Sequence, residues 1–295
     1  MIIIKIMGGL GNQMFQYALG RHLALKNDTN LILDLQWFNN NLNREYELNI
    51  FNIQAKIGDS GDLSNILYPL LYNLKNKKFN IKSFLGNSCD KNIIRYYKEC
   101  GIQFQPEILT LGDNICLDGY WQSEKYFKDI EHIIRDEFIV KTPPDPINEH
   151  KIKEIQESES VSIHIRRGDY VTNRKTNQTH GVCSLDYYQK AIEKMLYKID
   201  NPHFYIFSDD IEWAKANISV DRPIDFLSHN DASKNYEDLR LMSQCKHHII
   251  ANSSFSWWGA WLGKNKDQIV IAPRKWFKID TLNDHDLLLD SWQTI

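Results

Sequence analysis

Apolar residues open the chain as a run, Ile2-Ile3-Ile4, which Lys5 breaks and Ile6-Met7 resumes before Gly8-Gly9 ends it. A short β-branched run closed by glycine predicts a buried strand over 2–7. Beyond the glycines the period changes. Met14, Tyr17, Ala18 and Leu19 fall on helical spacing that continues toward Leu25, and Leu31-Ile32-Leu33-Asp34-Leu35 returns to a strand. Strand, glycine turn, helix and strand begin a parallel α/β sheet. Over 39–119 the apolar positions lie irregularly among Asn and Lys, and the pattern assigns no element. A helix follows over 124–140, with Phe127, Ile130, Ile133, Ile134 and Phe138 on one face.

Lys141-Thr142-Pro143-Pro144-Asp145-Pro146 stops that helix, because proline cannot continue it and restricts the residue before it. The domain boundary is placed here, giving domains 1–145 and 146–295. The rhythm then restarts. Strands are expected at 160–165, 203–207, 248–251 and 268–272. Ser184 caps a helix carrying Tyr188, Ile192, Met195 and Ile199, and a further helix over 235–245 presents Tyr236, Leu239 and Met242. Two α/β halves on a proline linker imply a cleft between them for a ligand.

Composition narrows the class. Apolar residues are 42% and charged residues 25% of 295, the balance of a globular protein with a real core. A net charge of −3 lacks the basic surplus of a nucleic-acid binder. The five cysteines are spread out without a C-x-x-C pair, so reduced thiols are expected rather than disulfides or structural zinc. The apolar N-terminal run is too short for a signal peptide, and no stretch reaches the ~18 apolar residues of a membrane span. A cytoplasmic protein is expected, with at most peripheral contact at the inner face of the membrane. Sequons such as Asn177-Gln178-Thr179 are then chance matches.

Four stretches carry candidate chemistry. In Ser162-Ile163-His164-Ile165-Arg166-Arg167-Gly168-Asp169-Tyr170 a buried strand runs into two arginines, whose guanidiniums suit phosphate oxygens. Gly168 permits a sharp turn and Asp169 can pin one arginine; the plainer alternative is a surface ion pair. The tripeptide Arg167-Gly168-Asp169 matches an adhesion signal by chance. In Gly8 to Tyr17, Gly9 and Gly11 bring backbone N–H groups and a helix start toward an anion, with Asn12-Gln13 as a polar lip. A nicotinamide reading competes, since Asp34 ends the second strand, but Met14 occupies the third glycine position of that fingerprint. Asp209 and Asp210 follow a strand, where an acid can accept two guanine N–H groups; a helix cap or a metal are the alternatives. In Asn252 to Trp261, Ser253, Ser254 and Ser256 open a helix fit for phosphate, whereas Trp257, Trp258 and Trp261 read as core. Asp284-His285-Asp286 has the spacing of a manganese-binding D-x-D but follows no strand, so it reads as solvated surface. His22 and His247 read as structural, and His164 either bonds the cleft wall or satisfies a buried neighbour.

Taken in order, Gly8 to Tyr17, His164 to Tyr170, Ser208-Asp209-Asp210 and Ser254-Phe255-Ser256-Trp257-Trp258-Gly259 resemble the family-11 glycosyltransferases, the α-1,2-fucosyltransferases. The resemblance implies a GT-B type α/β fold, two Rossmann-like domains facing across a cleft, with the C-terminal one binding GDP-fucose. It implies inverting transfer to the 2-hydroxyl of a terminal β-galactose in an oligosaccharide acceptor, with no metal or other cofactor. On it, Arg166 grips the β-phosphate and Asp210 reads guanine. Ser254 and Phe255 line the nucleotide site, and Asn12 lies near the fucosyl phosphate. Gly9, Gly11, His164, Asp209 and Ser253 complete the expected donor contacts, and Asp169 is the candidate base. Residues 39–119 match no motif and are expected to include the acceptor surface. A nicotinamide-dependent oxidoreductase and a non-catalytic carbohydrate-binding module are the rival classes; the first gives the paired arginines no task, the second leaves two phosphate-type sites unexplained.

Overall fold

The computed structural model describes residues 1–41, 44–58, 94–279 and 282–295. The chain separates into two compact units, Met1–Ile139 and Val140–Ile295. This places the division before the proline linker rather than at 145/146. The linker belongs to the second unit because its polar groups are spent there. Arg240 Nη2 donates to Thr142 O at 2.6 Å, Lys234 Nζ to Asp145 Oδ2 at 3.3 Å, and Asp145 Oδ1 accepts from Asn148 N at 3.0 Å.

The first unit contains β1 (Ile2–Lys5), α1 (Leu10–Lys26), β2 (Leu31–Asp34), β3 (Lys56–Ile57), β4 (Arg95–Lys98), β5 (Ile115–Asp118) and α2 (Glu131–Glu137). Its sheet is parallel, in the order β3-β2-β1-β5-β4. Helix α1 lies close against the sheet because Gly20 has no side chain; a Cβ there would stand 2.8 Å from Leu31 Cδ1 and 3.0 Å from Ile4 Cγ2. The helix expected over 124–140 survives only as α2. Residues 124–130 form two 3₁₀ turns instead, broken at Phe127. Tertiary packing overrides the local pattern here. Phe127 is fully buried against Phe15, and Tyr126 is held edge-on to Trp121.

The second unit runs α3 (Pro146–Glu157), β6 (Ser160–Ile165), α4 (Gly168–Thr172), α5 (Arg174–Thr179), α6 (Leu185–Lys198), β7 (His203–Ser208), α7 (Ile211–Asn217), β8 (Ile224–Leu227), α8 (Asn235–Gln244), β9 (His247–Ile249), α9 (Ser254–Trp261), β10 (Val270–Ala272) and β11 (Gln293–Thr294). Its parallel sheet has the order β11-β10-β9-β6-β7-β8. Val161, Ile163 and Ile165 pack under Tyr188, Ile192 and Met195 of α6, which Ser184 caps as expected by accepting from Tyr187 N. Ser160, Ser162 and His164 take the opposite face by strand alternation. Trp257, Trp258 and Trp261 are fully buried, as read from the sequence, and Trp257 Nε1 donates to Leu287 O at 2.8 Å. Both units are thus Rossmann-like. Their strand order reverses between β1 and β5 in one and between β6 and β9 in the other, the places where such sheets open a crevice at their C-terminal edge. Among the described residues no helix is long and apolar enough to cross a membrane.

Candidate functional site

At the β6/β9 reversal, β6 delivers two arginines to the sheet edge, and the chain meets each with carboxylates. Arg166 Nη2 donates to Asp169 Oδ1 at 2.5 Å and Nη1 lies 2.8 Å from Asp209 Oδ2. Its guanidinium carbon stands 5.3 Å from the Tyr170 ring centroid. Asp209 also accepts Arg167 N at 2.8 Å, which ties the exit of β6 to the exit of β7. Arg167 Nε donates to Asp210 Oδ2 at 2.9 Å, and its guanidinium lies 4.0 Å over Trp213. Two cations therefore face three carboxylates. This network fixes the arginines in space before any ligand arrives, and the unspent guanidinium donors remain for one.

Several expectations change in detail. Asp169, the candidate base, accepts from Arg166, the pinning contact its sequence position also offered. Asp210 accepts from Trp213 N at 3.3 Å and so also caps α7, the alternative left open by its sequence position. Gly168 is required by close approach rather than by a special φ: a Cβ would fall 2.6 Å from Asp209 Oδ2.

The other wall of this crevice is the start of α9. Ser254 and Phe255 open the helix, and Phe255 lies 5.7 Å from the His164 ring. Ser253 is buried. Ser256 leaves the set of candidate phosphate ligands, since it is buried and donates to backbone oxygens of Ala251 and Ser253. Asn252 is a buried hub whose Nδ2 donates to His180 O at 2.9 Å and Trp276 O at 3.1 Å, and its carbonyl accepts from Tyr170 at 3.2 Å. It locks the loops after β6, β9 and β10 together. His164 is buried, and its Nδ1 has no partner among the described residues. Burial lowers its pKa to about 4, Arg166 adds to this, and Asp209 opposes it, so the imidazole is neutral at physiological pH.

In the first unit the glycine turn sits at the β1/β5 reversal. Gly8 takes φ +80°, and a Cβ on Gly9 would stand 3.3 Å from Arg44 Nη1. Asn12 Oδ1 accepts from Gln122 Nε2 at 2.7 Å, while Gly11 is buried within α1. Gln13 is not a lip. It is fully buried, donates to Gly8 O and Glu45 O, and accepts Glu47 N, which staples that segment to the turn. Asp34 is 1% exposed and accepts Gln36 N at 3.0 Å, so it is a loop-starting acid and not a ribose ligand. Met14 fills the third glycine position as core.

Sequence reading missed Glu99 and the turn Tyr120-Trp121-Gln122. Tyr120 N and Trp121 N donate to the Glu99 carboxylate at 2.6 and 2.9 Å. The available signal was a strand ending in Asp118-Gly119 before two aromatics. Asp284 accepts Trp276 N at 2.7 Å, a structural task. Among the described residues no group of three or more His, Cys, Asp or Glu is placed to hold a metal ion, and Cys100, Cys116, Cys183 and Cys245 are free. Cys89 and much of 39–119 lie outside the described residues.

Comparison with known proteins adds relatives to this geometry. The family model described as Glycosyl transferase family 11 matches residues 1–295. An alpha-1,2-colitosyltransferase of Escherichia coli is 36% identical over 306 aligned positions, covering 100% of this chain and 98% of the relative. The O-antigen biosynthesis glycosyltransferase WbnK of Escherichia coli is 34% identical, covering 97% of each. Among solved structures, the alpha-1,6-fucosyltransferase NodZ from Bradyrhizobium, in a crystal soaked with GDP-fucose, superposes with a TM-score of 0.51 at 12% identity, covering 89% of this chain and 92% of that one. That likeness shows the fold, which is of GT-B type.

Proposed function

The chain belongs to glycosyl transferase family 11 and is a glycosyltransferase, and on that premise we propose that it moves L-fucose from GDP-β-L-fucose to the 2-hydroxyl of a terminal β-galactose. The reading takes the second unit as the GDP-fucose side and the first as the acceptor side. The observation that carries it is Arg166, held between Asp169 and Asp209 at the crevice of the second sheet. Breaking the bond from C1 to the diphosphate leaves negative charge on the β-phosphate. A guanidinium already oriented there stabilises that charge without reorganising. The start of α9 presents further N–H groups, and Phe255 and neutral His164 form the wall beside them. The acceptor oxygen attacks C1 in one displacement, which inverts the anomeric centre, and positive fixed groups do the work a metal does elsewhere.

A second donor is favoured by one observation: a relative 36% identical is named an alpha-1,2-colitosyltransferase. Colitose is fucose without its 3-hydroxyl, so both donors present the same diphosphate and the same anomeric carbon. The deciding experiment incubates the protein with GDP-fucose or GDP-colitose and a panel of galactose-terminated oligosaccharides, and reads the product linkage by NMR. A fucosylated product linked α-1,2 is expected. Transfer from GDP-colitose alone would replace fucose by colitose, and transfer from neither would overturn the reading. The dehydrogenase and binding-module alternatives fall with the family assignment.

A further inference from the structure

Arg166 is gripped by carboxylates, and a row of aromatic rings reaches it as well. Its guanidinium carbon lies 5.3 Å from the Tyr170 ring centroid, within the range of a cation–π contact. Tyr170 in turn stacks on His180, with centroids 4.9 Å apart and planes 19° from parallel. His180 meets the ring of Phe277, a buried residue that follows β10, at 5.3 Å. The segments that carry these rings are fastened to one another. Tyr170 Oη donates to Asn252 O at 3.2 Å, and Tyr170 O accepts from Asn177 Nδ2 at 2.6 Å. His180 O accepts from Asn252 Nδ2 at 2.9 Å, and His180 N donates to Thr176 O at 2.9 Å. Lys278 N donates to Thr179 O at 2.9 Å, which joins the segment of His180 to that of Phe277. Gly181 allows this closeness, because it takes φ +66° and a Cβ there would stand 3.4 Å from Lys278 Cβ.

His180 lies beyond the Ser162 to Tyr170 stretch, and what it touches is the ring that meets the guanidinium. We propose that His180 is a positioning residue: stacked on Tyr170, it keeps that ring against Arg166 and so holds the guanidinium where the β-phosphate of the donor meets it. This rests on the placement of the diphosphate on Arg166 proposed above. Asp169 and Tyr170 are neighbours on the five-residue helix α4, so a shift of the ring carries the Asp169 carboxylate with it. The two contacts that α4 makes with Arg166 thus move together with one stack. A neutral imidazole suits the task, because a cation there would compete with Arg166 for the π electrons of the same ring. Burial lowers the His180 pKa and so favours the neutral form; Asp169 opposes this and Arg166 adds to it. Its Nδ1 has no hydrogen-bond partner among the described residues, so stacking and backbone bonds place the ring.

The test compares GDP with GMP, which shares the base, the ribose and the α-phosphate but lacks the β-phosphate. Titration calorimetry on the unmodified chain comes first. GDP that binds no better than GMP there would overturn the placement of the diphosphate on Arg166, and the proposal with it. With a parent that prefers GDP, His180→Ala should bind GDP about five- to tenfold more weakly, and GMP within about twofold of the parent. His180→Phe keeps an aromatic ring in the stack and should restore the preference. An alanine variant with the parental preference overturns the proposal. So does one that weakens both nucleotides equally, since a merely structural loss does not distinguish them. A phenylalanine variant no better than alanine rejects it too. If His180→Ala fails to fold, His180→Leu takes its place, because leucine fills the space without an aromatic face. It should lose the preference that phenylalanine keeps, and equal preferences in the two reject the stack.

Discussion

Replacing Gly168 by alanine inserts one methyl group where the Asp209 carboxylate lies. Gly168 is the first residue of α4, and by helix propensity alone alanine there should stabilise by ~0.5–1 kcal/mol. The packing opposes this. The new Cβ would stand 2.6 Å from Asp209 Oδ2 and 3.1 Å from its Cγ. The carboxylate cannot turn aside without releasing Arg166 Nη1 and Arg167 N, each 2.8 Å away. Bonds to charged groups contribute ~1.5–3 kcal/mol each when buried. The Arg166 and Asp209 side chains are 23% and 27% exposed, so the lower end applies. Losing both bonds less the propensity gain gives a net cost of about 2–2.5 kcal/mol. In a unit of this size that lowers Tm by about 4–10 °C. Arg166, no longer held on one side, should also lose GDP affinity by about tenfold, equivalent to ~1.4 kcal/mol. Melting curves with and without GDP, together with titration calorimetry, measure both. A variant with unchanged or higher Tm and parental GDP affinity would refute the reasoning, because it would show that the carboxylate is not held where it appears.

Arg166→Ala should cost on the order of 3 kcal/mol of transition-state stabilisation, seen as about a 100-fold drop in kcat for transfer; near-normal turnover would remove the arginine from the mechanism. Dialysis against a chelator should leave transfer intact, measured in the same assay, and loss restored by manganese or magnesium would contradict the proposed metal-free reaction. Tyr17→Phe should destabilise the first unit by about 2 kcal/mol in urea titration, since the hydroxyl donates to Glu137 Oε2 at 2.5 Å in the interior and accepts Gln54 N at 2.8 Å in a half-buried bond. Asp238→Asn tests pH linkage. Burial raises the Asp238 pKa to about 7, Glu237 adds to this, and the bond from Asn230 opposes it. A pKa raised on folding means stability present at low pH and lost as pH rises through about 7. The asparagine should therefore gain stability over its parent at pH ~8 and not at pH ~4. Equal differences at both would refute it.

How far the molecule was legible follows from where its information is local. Strands β1 and β6 are buried on both faces and read as apolar runs, so the glycine turn and the arginine pair stood out at their ends. Asp169 as a brace for Arg166 was also visible, because the partners are three residues apart. The first unit's other half was not. Strand β4 is Arg-Tyr-Tyr-Lys on a sheet edge, β3 is two exposed residues, and β5 is four residues long. None gives a hydrophobic period long enough to detect.

That gap explains the missed carboxylate. Glu99 has meaning only when β4 lies beside β5, which brings it to backbone N–H groups 21 and 22 positions away. The same holds for Asp209 and Arg167 N, 42 residues apart and joined by the β6/β7 pairing. A sequence displays acids and arginines as separate candidates for a ligand, whereas the fold first spends them on each other. Residues carried over one by one from a motif therefore overstate how many charges are free. A carboxylate's role is therefore read from the partners the fold gives it rather than from its place in a motif.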